Sequence, residues 1–566
     1  MYLSPDQPLA GILAPLFALR SEDDLGIGDT AALREFVDWA AENNFRLVQL
    51  LPINETGNDN SPYNAISSVA IDPCSLAISP ETIPDLSEEA YREVLNGFPL
   101  SELRDGPVKY RLVKPLKRRL LEVAFAKFME GPKNTVRPRK FRAWLKEHSA
   151  WIEGYSLFRA LMDENGGTEM WDTWPESQQT LQNAQEWLTV QKEEVQKRLE
   201  LKMRFFQYVQ WIAFEQWREV KVYCDSKGVA LMGDVPIGVS YYSSDVFCNP
   251  EIFNLRWSGG APPETFFKTD PFTEKWGQNW GVPLYRWDVL RQTNFAWWRQ
   301  RVRAVREIFH LFRIDHILGF YRMYSFPWRP KRNAEFTYLT QEQAQAITGG
   351  DLPHFTPRDD TTQEHRDANR RDGEEYLRAL LEEAGEYRLV GEDLGVVPDY
   401  VRPSLGSLGI AGFKIPQWEH QPDQRIVPGE DYTRLSVVTY ATHDHVPLAT
   451  IWDDLAAAAQ KGDKQAKWDL DQFCDYGGFG IDRIKPITHP IHEALLSALF
   501  QSNSWLAIVM ITDVFCEKTR FNVPGAVADS NWSERVNATP AQWGKDKTRA
   551  AKMQRIAELI EASGRA

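Results

Sequence analysis

Five short apolar runs in this chain end in acids: "GDVP" carries Asp234, "FRID" Asp315, "VGED" Glu392 with Asp393, "THD" Asp444 and "MITD" Asp513. A lone carboxylate beside a buried apolar segment costs several kcal/mol unless it is paired or hydrogen-bonded. Each acid taken singly is explained as a helix N-cap or a turn residue. Several converging on one site are harder to explain that way. Carboxyls held close together shift each other's pKa, so that one stays protonated while its neighbour is ionised. Such a pair suits glycosidic-bond chemistry: one attacks the anomeric carbon, and the other protonates the leaving oxygen and later activates the incoming one. A third acid can bind sugar hydroxyls and stabilise an oxocarbenium-like transition state. Arg313, two residues before Asp315, shares its strand face and favours the ionised, nucleophilic form of Asp315. His443, beside Asp444, can hydrogen-bond sugar hydroxyls.

Metal binding is the rival chemistry for such a cluster. The ten histidines show no HExxH and no compact ligand spacing, although "THDH" and "RIDH" each offer an acid–histidine pair. No metal and no cofactor is expected. Neither GxxxxGK[ST], GxGxxG after a strand, nor GxSxG occurs, so nucleotide and serine-hydrolase chemistry have no support.

The acids need elements that aim them at one place. Eight apolar runs read as strands: residues 11–17, 45–52, 229–236, 311–315, 387–393, 409–416, 435–444 and 504–513. Most are continuous rather than alternating, which suits a parallel sheet covered on its faces. Helical periodicity fills the gaps. Asp29 is an N-cap for a helix with Leu33, Phe36, Val37, Ala40 and Ala41 on one face, and Gly228 and Gly385 close helices ahead of strands. Eight strand–helix units predict one (β/α)8 barrel over residues 1–566, with functional groups at the C-terminal strand ends. Residues 80–205, rich in Lys, Glu and Arg at helical spacing, read as a largely helical insertion between the second and third strands. Residues 240–290 and 330–375 read as loop insertions that shape the cleft. No C-terminal β-sandwich is expected.

Composition narrows the partners. Across 566 residues, 43% are hydrophobic and 25% charged, as in an ordinary globular protein. The net charge of −14 argues against nucleic acid or an anionic membrane. The 21 tryptophans serve a large core, with some free to form platforms for sugar rings. Five scattered cysteines without a CxxC pair, and no long apolar run, predict a reduced, cytoplasmic protein.

Taken in order, "LRSEDDLGIGD" (19–29), "SPYNAISS" (61–68), "GDVPIGV" (233–239), "GQNWGVPLYRW" (277–287), "FRIDHILGF" (312–320), "GEDLG" (391–395), "ATHD" (441–444) and "FNVPGAVADSNWSERV" (521–536) span nearly the whole chain. In this order and spacing they resemble the 4-α-glucanotransferases, or amylomaltases, of glycoside hydrolase family 77. The resemblance implies that Asp315 is the nucleophile, Glu392 the general acid/base and Asp444 the transition-state stabiliser. It also implies that Arg313 and His443 support the nucleophile and contact the sugar, that Tyr63 stacks beneath that sugar, that Asp234 is the third-strand acid, and that Trp280 lines the acceptor side. Asp393 is left to brace a loop. Two departures stand out: Glu264 where the family usually has Asp, in a loop over the active site, and His445 where Asn or another residue is commoner. The implied reaction is retaining transfer of α-1,4-glucan segments between maltooligosaccharides. Two alternatives stay open at this point, an α-amylase-like hydrolase and a non-catalytic glucan-binding protein.

Overall fold

The structure, a computed structural model, describes residues 1–263, 270–480, 486–524 and 530–566. All eight expected runs form strands: β1 (Leu9–Leu13), β2 (Leu47–Gln49), β3 (Ala230–Pro236), β4 (Leu311–Asp315), β5 (Leu389–Gly391), β6 (Gly412–Lys414), β7 (Ser436–Val438) and β8 (Leu506–Met510). They pair in parallel in sequence order, and β8 returns to β1 over the register Leu9–Leu506 to Leu13–Met510. The β5–β6 seam closes through the parallel bridge between Val390 and Ala411, where Gly391 N donates to Ala411 O at 2.9 Å. The result is a (β/α)8 barrel.

Strand periodicity explains why charge enters this barrel. In β4, Phe312 and Ile314 pack outward against helices, while Leu311 packs in the barrel interior. Arg313 and Asp315 therefore share the interior face with Leu311. In β3, Met232 lies inside, which puts Asp234 inside as well. Glu392 follows Val390 of β5 in the same way. Each of these columns is apolar at the bottom and charged at the mouth.

The flanking helices are set as their end signals require. Asp29 caps α1 (Thr30–Glu42), accepting from Ala31 N and Ala32 N at 3.0 and 3.1 Å. Gly228, left-handed at φ 67°, ends the 35-residue helix α2 (Glu193–Lys227) and turns the chain into β3. Gly233 of β3 lies so close to the Phe309 ring that an added Cβ would come within 2.5 Å of it, so a side chain there would push the helix preceding β4 off the barrel.

Between β2 and β3, helices run over Glu88–Leu95, Leu100–Arg104, Tyr110–Glu130, Val136–Glu147, Ser149–Glu164 and Leu181–Thr189 before α2. Residues 240–290 and 330–375, read from the sequence as loops, carry regular elements. Strands Gln278–Tyr285, Phe253–Ala261, Met323–Phe326 and His354–Thr356 form one antiparallel sheet in that order. Its partners lie far apart in the chain, so no local turn signal announces it. Most tryptophans are core, with Trp211, Trp217, Trp298, Trp328, Trp452, Trp505 and Trp543 fully buried. Among the described residues, no helix is long and apolar enough to cross a membrane.

An ion pair ties the loop after β1 to the chain segment that follows β8. Arg535 Nη2 lies 2.6 Å from Asp24 Oδ2, with their side chains 0% and 2% exposed, and also donates to Leu19 O at 2.6 Å. Truncating one partner leaves the other charge buried, at a cost of about 3–5 kcal/mol. Asp24→Ala is expected to lower the unfolding free energy by that order, read as a lower denaturant midpoint with an unchanged slope. An unchanged midpoint would mean that Arg535 finds water or another acid.

Candidate active site

Arg313 occupies the centre of the barrel mouth. Its Nη1 donates to both oxygens of Asp234, at 2.9 and 2.7 Å. Its Nη2 lies 2.7 Å from Asp315 Oδ1 and 3.9 Å from Glu392 Oε2. One buried guanidinium thus faces three carboxylates from three neighbouring strands, with its flat face 5.9 Å from the Phe413 ring centre. Arginine suits this place because its planar fork reaches several acids at once and keeps its charge when buried.

The acids differ in their surroundings. Burial, partly offset by Arg313, raises the Glu392 carboxyl to about 8, and the charge of Asp315 adds to the rise. Glu392 accepts from His316 N at 2.7 Å and Leu394 N at 3.0 Å. His316 adopts a left-handed backbone, φ 49°, which is costly for a residue with a Cβ and places its N–H on Glu392. Burial likewise raises Asp234 to about 6 against the pull of Arg313. Tyr63 Oη donates to Asp234 Oδ2 at 2.6 Å, and burial beside that acid keeps Tyr63 a neutral phenol. Asp393 points away from its neighbour, accepting from Phe413 N at 2.6 Å and Arg402 Nε at 3.0 Å, and so holds β5 to β6. An added Cβ at Gly412 would meet its carboxylate at 2.8 Å, which is why the seam takes glycine there.

Asp444 arrives by a different route. The run 435–444 reads as one strand, but β7 ends at Val438, where the sheet contact stops and Thr439 Oγ1 turns the chain by donating to Ala441 O at 2.8 Å. Asp444 therefore sits on a loop. Asn522 Nδ2 donates to its Oδ1 at 2.6 Å, and Arg520 Nη2 to its carbonyl at 2.7 Å. His443 stacks on Tyr63, rings 5.1 Å apart and 7° from parallel. Burial, reinforced by Arg313, lowers the His443 imidazole to about 3, so the ring is neutral. Its Nε2 is 3.2 Å from Asp444 Oδ2 yet out of line for a hydrogen bond, leaving a buried polar atom unpartnered. Trp280, 39% exposed, stands edge-on to His316 at 4.8 Å.

The eight residues singled out from the sequence thus form one connected set. Arg313 touches Asp234, Asp315 and Glu392, Tyr63 joins Asp234 to His443, His443 meets Asp444, and Trp280 reaches the set through His316. Asp513 does not join. It lies in the short helix Ile511–Phe515, where its carboxylate accepts from Leu448 N at 2.7 Å and braces the loop after Asp444. Asn522 is the contact that reading the strand ends missed, since it lies inside a quoted motif but at no strand end; His316 was visible only as the acid–histidine pair of "RIDH", not as the N–H donor to Glu392. Glu264 lies outside the described residues. Among those described, Glu147, His148 and Glu307 are a group of metal-ligand types within reach of one ion. They lie at the opposite end of β4 from Asp315, and Arg218 pairs with Glu307.

Replacing Arg313 by Met leaves three clustered carboxyls without their cation. The raised pKa values of Asp234 and Glu392 then climb further above the unfolded value, so the folded state binds more protons and stability is lost as pH rises from about 4 through their folded pKa values. The thermal-midpoint deficit of Arg313→Met is expected to be wider at pH 8 than at pH 5. An equal deficit at both would mean that the acids do not depend on this charge.

A sequence model of the 4-alpha-glucanotransferase family, glycoside hydrolase family 77, matches residues 14–539. The 4-alpha-glucanotransferase of Chlamydia pneumoniae is 30% identical over 550 residues, covering 94% of this chain and 91% of the relative. That of Thermus thermophilus is 28% identical, covering 93% and 94%. Among solved structures, an amylomaltase from Streptococcus agalactiae in complex with acarbose superposes with a TM-score of 0.75 at 22% identity, covering 98% of this chain and 99% of that one. This agreement in fold extends over the same span as the sequence match, and the chain belongs to the 4-alpha-glucanotransferase family.

Proposed function

We propose that the protein transfers α-1,4-glucan segments from a donor maltooligosaccharide to the 4-hydroxyl of an acceptor glucose or glucan, by a retaining mechanism. The observation that carries this reading is the shared guanidinium. Arg313 Nη2 contacts both Asp315 and Glu392, so the gap between their oxygens cannot exceed the sum of 2.7 and 3.9 Å. That favours the spacing of about 5 Å found in retaining enzymes over the roughly 6.5–9.5 Å of inverting ones.

In this mechanism Asp315 attacks the anomeric carbon while Glu392 gives its proton to the leaving 4-oxygen. The C–O bond breaks, the shortened chain departs with that proton, and a glucosyl ester forms on Asp315. Glu392, now ionised, takes the proton of an incoming 4-hydroxyl, whose oxygen displaces Asp315 and restores the α-linkage. The raised Glu392 suits the first step because it is still protonated near neutrality. Asp444, held by Asn522, and the unpartnered His443 Nε2 are placed to bind hydroxyls of the reacting sugar. Tyr63 offers its ring face beneath that sugar, and Trp280 an exposed indole for the acceptor. Asp234 holds Arg313 in place.

Transfer and hydrolysis use the same carboxylates and differ in which hydroxyl reaches the ester. Family membership favours transfer. A cytoplasmic site of action is part of the proposal, supported by buried thiols at Cys74 and Cys224 that form no disulfide.

Purified protein given maltotriose is expected to yield glucose and a ladder of longer maltooligosaccharides with little net gain in reducing ends. Glucose and maltose with rising reducing ends and no ladder would mean hydrolysis. Asp315→Asn is expected to lose at least about a thousandfold in turnover, the scale of losing a nucleophile, while still binding oligosaccharide. Wild-type turnover in that variant would remove Asp315 from the mechanism.

A further inference from the structure

Two solvent-facing indoles stand at the barrel mouth. One is Trp280, against His316. The other is Trp418, 48% exposed, on the loop after β6 and edge-on to His445 at 4.9 Å and 77°. An exposed indole on a mobile surface loop needs no explanation. The backbone on either side of Trp418 is instead tied down. Gln417 Nε2 donates to Tyr440 O at 2.6 Å, fastening the loop to the end of β7. Glu419 pairs with Lys414 at 2.9 Å and with Arg402 at 3.3 Å. Arg402 in turn pairs with Asp393, next to Glu392. The backbone that carries the indole is therefore tied to the segments that carry Glu392 and Asp444.

His445 is built to support it. Its Nδ1 accepts from Thr442 N at 3.1 Å and lies 2.8 Å from Thr442 Oγ1, so the ring proton sits on Nε2. Burial lowers its pKa to about 4 and keeps the ring neutral. His445 directly follows Asp444 in the chain.

Strand order separates the two indoles. Trp280 contacts His316, whose N–H holds Glu392, the group that protonates the leaving oxygen; that is the leaving-group side. Trp418 and His445 follow β6 and β7, on the side of Asp444, where the retained sugar is bound. We propose that Trp418, backed by His445, is the platform for a donor glucose unit beyond the cleavage point on the retained side, and that it sets the preference for donor length. The inference rests on the glucan-transfer reading above. One face of a glucose ring presents C–H groups that pack on an indole, while its hydroxyls turn to the polar atoms beside it. Gln417, the residue before Trp418, keeps its buried Oε1 without a hydrogen-bond partner.

The test is donor kinetics from maltotriose to maltoheptaose at saturating glucose, for wild type, Trp418→Ala, Trp418→Tyr and His445→Ala. Loss of one stacking contact that is equal in ground and transition states raises KM about tenfold with kcat within about twofold. Trp418→Ala is expected to show this with maltoheptaose and a smaller rise with maltotriose. Trp418→Tyr should regain most of the loss, and His445→Ala should give a weaker change of the same pattern. A penalty that is independent of donor length, that falls on glucose KM, or that is absent would overturn the platform. Calorimetric binding of maltoheptaose to Asp315→Asn with and without Trp418→Ala separates the two readings. Binding that weakens about tenfold without any ladder in the wild type overturns transfer but keeps the platform. A wild-type ladder with unchanged binding overturns the platform alone.

Discussion

One guanidinium makes this site possible. Three carboxylates brought to one barrel mouth would repel each other. Arg313, buried on the interior face of β4, gives two hydrogen bonds to Asp234 and lies 2.7 Å from Asp315. Glu392 is farther off at 3.9 Å and is the acid whose pKa is pushed highest, to about 8. A difference of about an ångström in distance to the same cation thus accompanies the proposed division of roles between a nucleophile and a proton donor. The cation is itself fixed, since Asp234 is held from its other side by Tyr63.

The barrel supplies this arrangement through strand periodicity. Interior positions on β3, β4 and β5 are apolar below and charged above, so the hydrophobic core and the site are consecutive parts of the same columns. The seam between β5 and β6 carries little ladder pairing, and Asp393 reinforces it by bonding Phe413 N and Arg402. Adjacent acids on one strand therefore divide the work, Glu392 facing the mouth and Asp393 the wall. Asp444 reaches the site from a loop and depends on Asn522 and Arg520, contributed by the chain after β8, to hold it.

Much of this was legible in the sequence because the deciding signals are local. The eight apolar runs, the cap at Asp29, the helix stop at Gly228 and the two-residue step from Arg313 to Asp315 each need only a few neighbouring residues to be read. What stayed hidden depends on distant partners. The antiparallel sheet joins segments from residue 253 to residue 356. Asn522 meets Asp444 across 78 residues. Asp513 has the same local signature as Asp315, yet a turn of helix sends it into the wall. Only the family resemblance pointed to Tyr63 and Trp280 as candidate sugar contacts, because local pattern does not distinguish them from core aromatics.

The central claim is that Asp315 carries the glucosyl group between donor and acceptor. The most direct test is to give Glu392→Gln an activated α-glucosyl fluoride, whose fluoride leaves without needing a proton, and to locate any adduct by mass spectrometry. The account predicts one added glucosyl unit on the peptide spanning residues 314–322, on Asp315, because the missing base slows its release. An adduct on Asp444 or Asp234, or fluoride release with no adduct at any time, would contradict it.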